Sequence, residues 1–125
     1  MNVREYRPSD LEELERIHNE FFSEEFSLPD FLTNYLCAVT IEDDAGVITI
    51  GGVRNIAESV IVTNKERSAY TRVRALNNLL EASRFIARTH GHDQLHAFIQ
   101  DDKWYSHLLE KGFAPCKGRA LVTGV

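Results

Sequence analysis

From about Ser68 to His90 the chain carries Val73, Leu76, Leu80, Ile86 and Ala87 along one side, the three-to-four residue spacing of a helix lying on a core. The segment closes on His90-Gly91, a helix-stop signal. β-Branched or apolar runs flank it: ESVIVT at 58–63 before it and QLHAFI at 94–99 after it. A strand, a long helix and a second strand in one sheet leave little topological freedom. The expectation is a right-handed crossover joining two parallel strands.

The rest of the chain fills in around this unit. MNVREY reads as an opening strand, and Ser9 with Glu12 three residues on reads as a capping box for a helix with Leu11, Leu14, Ile17 and Phe21 on its apolar stripe. SLPD precedes a second, shorter helix carrying Phe31, Leu32 and Tyr35. CAVTIE, the turn residues DDAG and VITIGGV form an antiparallel hairpin, in which Gly51-Gly52 marks a bulge or a close backbone approach. DDKWYSHLLEKG is a short helix ending at Gly112, and RALVTGV is a closing strand. The predicted order is β-α-α-β-β-β-α-β-α-β, an α/β (α+β) chain with a central mixed sheet flanked by helices. No repeat or linker divides it, so residues 1–125 are expected to form one domain.

The net charge of −5, from nineteen acidic and fourteen basic residues, argues against general nucleic-acid binding and against anionic membranes. No apolar run reaches the roughly 20 residues of a membrane span. The N-terminus runs straight into charged residues, unlike a signal peptide, and Cys37 and Cys116 show no CxxC spacing. Both thiols are expected buried, in a protein of the reducing cytoplasm.

Against this acidic background Lys65, Arg67, Arg72 and Arg74 crowd the start of the long helix. Cations there oppose the helix dipole, at a cost of a few tenths to about 1 kcal/mol each, unless an anion sits between them. Unpaired helix amides together with arginines make an anion site. The other reading is a solvated basic face.

Three stretches, VREYRPSDLEELERI, DDAGVITIGGV and WYSHLLEKGF, in this order and at these separations, give the chain a resemblance to the GNAT superfamily of acyl-CoA-dependent N-acyltransferases. The resemblance covers nearly the whole length. It implies that acetyl-CoA is the acyl donor, with its pyrophosphate held by the loop and helix start at ERSAYTRVR, and that a primary amine of a small molecule or peptide is the acceptor. Cofactor contacts then fall to Arg67, Ser68, Thr71, Arg72 and Val73, and to backbone groups of the fourth strand around Val60 and Val62. The family loop reads Gln or Arg, two residues, Gly, one residue, then Gly or Ala. Here those positions are Ser68, Thr71 and Val73 in one register, or Arg67, Tyr70 and Arg72 in another, and neither supplies a glycine.

Acyl transfer needs a base for the amine, an acid for the departing thiolate and a donor to the thioester carbonyl. The family acid, a tyrosine four residues before the Gly of Gly-Phe, falls on Leu108; Tyr105, one turn earlier, is the nearest hydroxyl. Glu58, opening the fourth strand, is the candidate base, and His107 is a second candidate acid or base. THGHDQLH brings His90, His92 and His96 close in sequence without a closing carboxylate or cysteine pattern, so no metal site is expected, and His90 is read as a helix-end residue. The displaced tyrosine and absent glycines keep a second reading open, a GNAT-fold binding or interaction module without catalysis. The resemblance also leaves a homodimer open.

Overall fold

The hairpin forms where alternation and turn chemistry agree. In the computed structural model, which describes residues 1–125, β2 (Tyr35–Asp43) and β3 (Gly46–Arg54) pair antiparallel. Asp43 Oδ1 accepts from the Ala45 amide at 2.9 Å, and Gly46 takes φ 125°, a value that side chains rarely permit. β1 (Asn2–Glu5) adds antiparallel to β2, giving the order β1-β2-β3, so the sheet is three-stranded and wholly antiparallel instead of the expected central mixed sheet, because the two later β-rich segments do not join it. Gly52 meets the expected close approach: a Cβ there would stand 2.5 Å from the Cys37 carbonyl oxygen. The bulges lie elsewhere, at Tyr35/Cys37 and Ile41/Glu42.

A one-turn 3-10 helix, Pro8–Asp10, leads into α1 (Leu11–Phe21). Asp10, rather than Ser9 and Glu12, secures this entry by accepting from the Arg7 amide at 2.9 Å. It also receives Arg4 Nη1 and Nη2 at 2.8 and 2.7 Å and the Thr40 hydroxyl at 3.1 Å, while Arg4 Nε bonds Glu42 at 2.9 Å. β1, β2 and the helix entry are thus tied through one carboxylate. The Arg4 guanidinium holds the Asp10 carboxyl well below the usual carboxylate range. α1 buries Leu14 and His18, whose Nε2–H donates to the Phe26 carbonyl at 2.6 Å, whereas Leu11 and Phe21 stay exposed.

The second predicted helix does not form. Asp30 accepts from the Leu32 amide at 3.1 Å and the Thr33 hydroxyl at 2.8 Å, a side-chain turn that competes with helix hydrogen bonding. Asn34 then takes φ 59°, and Tyr35 enters the β-ladder opposite Arg54. Phe31 instead packs between Tyr6, tilted at 5.4 Å, and Tyr35, edge-on at 5.1 Å, over a core of Tyr6, Leu14 and Ala38.

The expected crossover helix is α2 (Ala69–Thr89), with Leu76, Leu80 and Ala87 buried; Val73 and Ile86 face outward. The flanking segments run parallel but touch through a single bridge, Glu58 to His96, closed by the Ser59 amide to the His96 carbonyl at 2.8 Å and the His96 amide to the Ala57 carbonyl at 2.9 Å. Beyond it 60–63 and 97–99 enter no ladder, so the two expected strands do not form. Ile61 turns inward with Ala97 and Ile99 onto the second core, Leu76, Leu80 and Leu108, while Val60 and Val62 point out. RALVTGV does not form a strand, because no neighbouring ladder is available to extend; Leu121 and Val122 are fully exposed. α3 (Asp102–Glu110) ends at Gly112, φ 94°.

Two cores result, one under β1–β3 and α1, the other between α2, α3 and the parallel pair. The accessible surface of 10136 Å² exceeds the roughly 6,800 Å² that size scaling gives for a compact 14.3 kDa monomer, and large apolar side chains from Val3 to Val122 stay exposed. Both cysteines, expected buried, are exposed: Cys37 sits beside the β2 bulge and Cys116 in the unpaired segment after α3. No helix is long and apolar enough to cross a membrane.

Candidate functional site

α2 starts where Ser68 can cap it. Its Oγ accepts from the Thr71 amide at 3.2 Å and lies 2.9 Å from the Thr71 hydroxyl, while the Arg72 amide bonds the Ser68 carbonyl at 3.0 Å. Two donors of the helix end are therefore used, and the Ala69 and Tyr70 amides remain open. α3 is capped by Asp101, which accepts from the Lys103 and Trp104 amides at 2.9 and 3.0 Å. The starts of α2 and α3 face each other across a cavity, with Trp104 and Leu108 packed on Leu76 and Leu80.

Between the two helix starts lies a cavity of about 650 Å³, lined by Lys65, Ala69, Arg72, Val73 and Leu76 on one side and Asp101, Asp102, Lys103, Trp104 and His107 on the other. Arg72 dominates its chemistry. Its guanidinium has no carboxylate partner, and its Nε is shut off from solvent with no hydrogen bond. A buried donor left unused costs about 1 to 3 kcal/mol and is rare unless something else supplies the acceptor. Three cations face two carboxylates, and one oxygen of Asp101 is already spent on the cap.

The four clustered cations divide. Lys65 and Arg72 line the cavity. Arg74 lies over the Tyr70 ring at 5.7 Å, and Arg67 sits off the cavity in the turn where its amide bonds Asn64. Of the other expected contacts, Val73 lines the cavity, and the Ser68 and Thr71 hydroxyls face each other in the cap. Val60 and Val62 have exposed side chains, 75% and 95%, and backbone amides that enter no ladder. Among the expected catalytic groups His107 lines the cavity, its ring 6.1 Å from that of Trp104. Tyr105 and Glu58 lie outside the lining, and Leu108, at the family's acid position, is buried in the core.

Lys103 and Asp102 are site residues that the sequence reading missed. Their signal was positional: they open a helix whose first turn faces the basic cluster. Compared with protein-family models, curated proteins and solved structures, the chain matches none.

Proposed function

We propose that this protein is an acyl-CoA-dependent N-acetyltransferase of GNAT-like fold, acting on a primary amine of a small molecule or peptide, in the cytoplasm. The observation that carries the reading is Arg72, a half-buried cation without a carboxylate partner whose Nε is closed off from solvent and unbonded, beside the open amides of a helix start. Such a place suits a pyrophosphate better than any neutral ligand. Two further features support it. The segments around Glu58 and His96 run parallel through one bridge, the direction that the resemblance implies for the fourth and fifth strands. The volume, about 650 Å³, lies in the range of small-molecule sites.

In this reading Lys65, Arg72 and Lys103 hold the phosphates, and the thioester carbonyl is polarised by the Val60 and Val62 amides, which enter no ladder and lie outside the cavity lining. The amine nitrogen attacks that carbonyl, the C–S bond breaks, and the sulfur leaves as a thiolate that takes up one proton while the new amide loses one. We assign that proton to His107 rather than Tyr105, because His107 lines the cavity and Tyr105 does not.

A binding module without catalysis is the second reading, favoured by Leu108 in the core and by Glu58 and Tyr105 standing off the cavity. Thiol release from acetyl-CoA across a panel of amines separates the two. Under the enzyme reading an amine drives release, His107→Gln lowers the rate by about tenfold or more, and Tyr105→Phe leaves it nearly unchanged. Binding without release for any amine favours the module; a rate lost in Tyr105→Phe but kept in His107→Gln overturns the assignment of His107.

A further inference from the structure

At the other end of α2, about 24 Å along the axis from Arg72 to Arg88 at 1.5 Å per residue, the two halves of the molecule meet across a second and larger cleft. Its volume is about 1060 Å³. Arg54 at the end of β3, Arg84 and Arg88 on the last turns of α2, and Lys117 beyond α3 all line it, against the single carboxylate of Asp93. None of these four cations has a carboxylate within ion-pair distance; the ion pairs of the molecule involve only Arg4 and Arg16. The chain carries nineteen carboxylates for fourteen cations, so partners were plentiful. Arg84 and Arg88 alone would be explained by the negative end of the helix dipole. Arg54 and Lys117 come from elsewhere in the chain and have no such reason to be there.

We propose that this cleft is a second binding site, for a small multiply charged anion of the polycarboxylate or phosphate type. Two of the cations already have neutral partners that hold them in position. Arg54 Nη2 donates to Gln94 Oε1 at 3.0 Å, and Arg84 Nη2 donates to the Lys111 carbonyl at 2.7 Å while its guanidinium lies over Phe113 at 5.7 Å. Arg88 and Lys117 are uncommitted and can close on the ligand. Like charges gathered in one cleft repel, and an anion among them relieves that repulsion and makes charge-assisted hydrogen bonds to all sides. The ligand would also join the halves, which otherwise meet here through the Arg54–Gln94 bond and the bond from Asn34 Nδ2 to the Gly91 carbonyl at 3.1 Å. Binding therefore tightens the arrangement of the two cores, independently of whether acetyl-CoA occupies the far end.

The test is an amide-resonance titration of the full chain with citrate and, separately, with inorganic pyrophosphate. The expected result is a saturable shift of the Arg88, His92, Gln94 and Lys117 resonances by at least one of them. The dissociation constant should rise about tenfold or more in Arg88→Gln with Lys117→Gln, and should not change in Arg72→Ala. Both substitutions are on exposed side chains, and an unchanged spectrum elsewhere confirms that the fold is kept. Saturation by citrate alone identifies a carboxylate site and by pyrophosphate alone a phosphate site, and either supports the proposal. No saturation by either probe at millimolar concentration, or saturation unaffected by the double substitution, overturns it.

Discussion

Replacing Asp10 by Asn tests the device that holds the sheet half together. The carboxylate accepts four hydrogen bonds, two of them from the Arg4 guanidinium at 2.8 and 2.7 Å, and it is 7% exposed. Asn keeps the shape and one acceptor oxygen but loses the charge and turns an amide N–H₂ toward a cation. Removing one partner of a buried pair costs about 3 to 5 kcal/mol. Glu42 remains as a partner for Arg4, so the expected loss lies nearer the 1.5 to 3 kcal/mol of a single hydrogen bond to a charged group, about 2 to 3 kcal/mol. At the usual dependence of stability on urea this lowers the urea midpoint by about 1 to 2 M, followed by far-ultraviolet circular dichroism. The deficit also depends on pH in a fixed direction. The folded carboxyl titrates below its ordinary value of 3.8, so below about pH 4 the unfolded chain binds more protons and the natural protein loses stability that the variant never had. The gap between them is full at neutral pH and narrows as the pH falls below that value. An unchanged midpoint, or a gap of equal size at neutral pH and at about pH 2.5, refutes the reasoning.

Leu80→Ala, at a position only 1% exposed, should cost about 2 to 5 kcal/mol and raise hydrogen exchange in α2 and α3 well above that in β1–β3, since the two cores are separate; equal effects in both halves contradict that division. Gly52→Ala forces a Cβ to 2.5 Å from the Cys37 carbonyl oxygen and should destabilise the hairpin by about 1 to 3 kcal/mol in urea unfolding. Ser68→Ala removes the α2 cap and should cost about 1 kcal/mol, with the Thr71 amide exchanging faster.

α2 and α3 were legible in the sequence because an apolar period, a capping side chain and a following glycine coincide at both. The hairpin was legible for the same reason, Asp43 and Gly46 supplying turn chemistry between β-rich runs. Elsewhere a local signal lost to a partner distant in sequence. Ser9 and Glu12 match a capping box, yet Asp10 has Arg4 and Thr40 as partners across β1 and β2 and takes over the cap. Pro29 and Asp30 suit a helix start, but the Asp30 side chain satisfies Leu32 and Thr33 in a turn instead. ESVIVT and QLHAFI have strand composition and run parallel, and composition cannot say that pairing stops after one bridge. The basic cluster pointed to the start of α2, but only the folded chain separates Arg72 from Arg67 and adds Lys103. The second cleft left no sequence trace, because Arg54, Arg88 and Lys117 are brought together by the meeting of the two halves.

The central claim, that the start of α2 with Arg72 receives the phosphates of acetyl-CoA, is tested most directly by calorimetric titration of acetyl-CoA into the natural chain and into Arg72→Ala. The account predicts one saturable site in the natural chain. In the variant, loss of hydrogen bonds to a charged group worth about 1.5 to 3 kcal/mol weakens binding by roughly tenfold to a hundredfold. Absence of binding at millimolar acetyl-CoA, or the same affinity in both proteins, contradicts it.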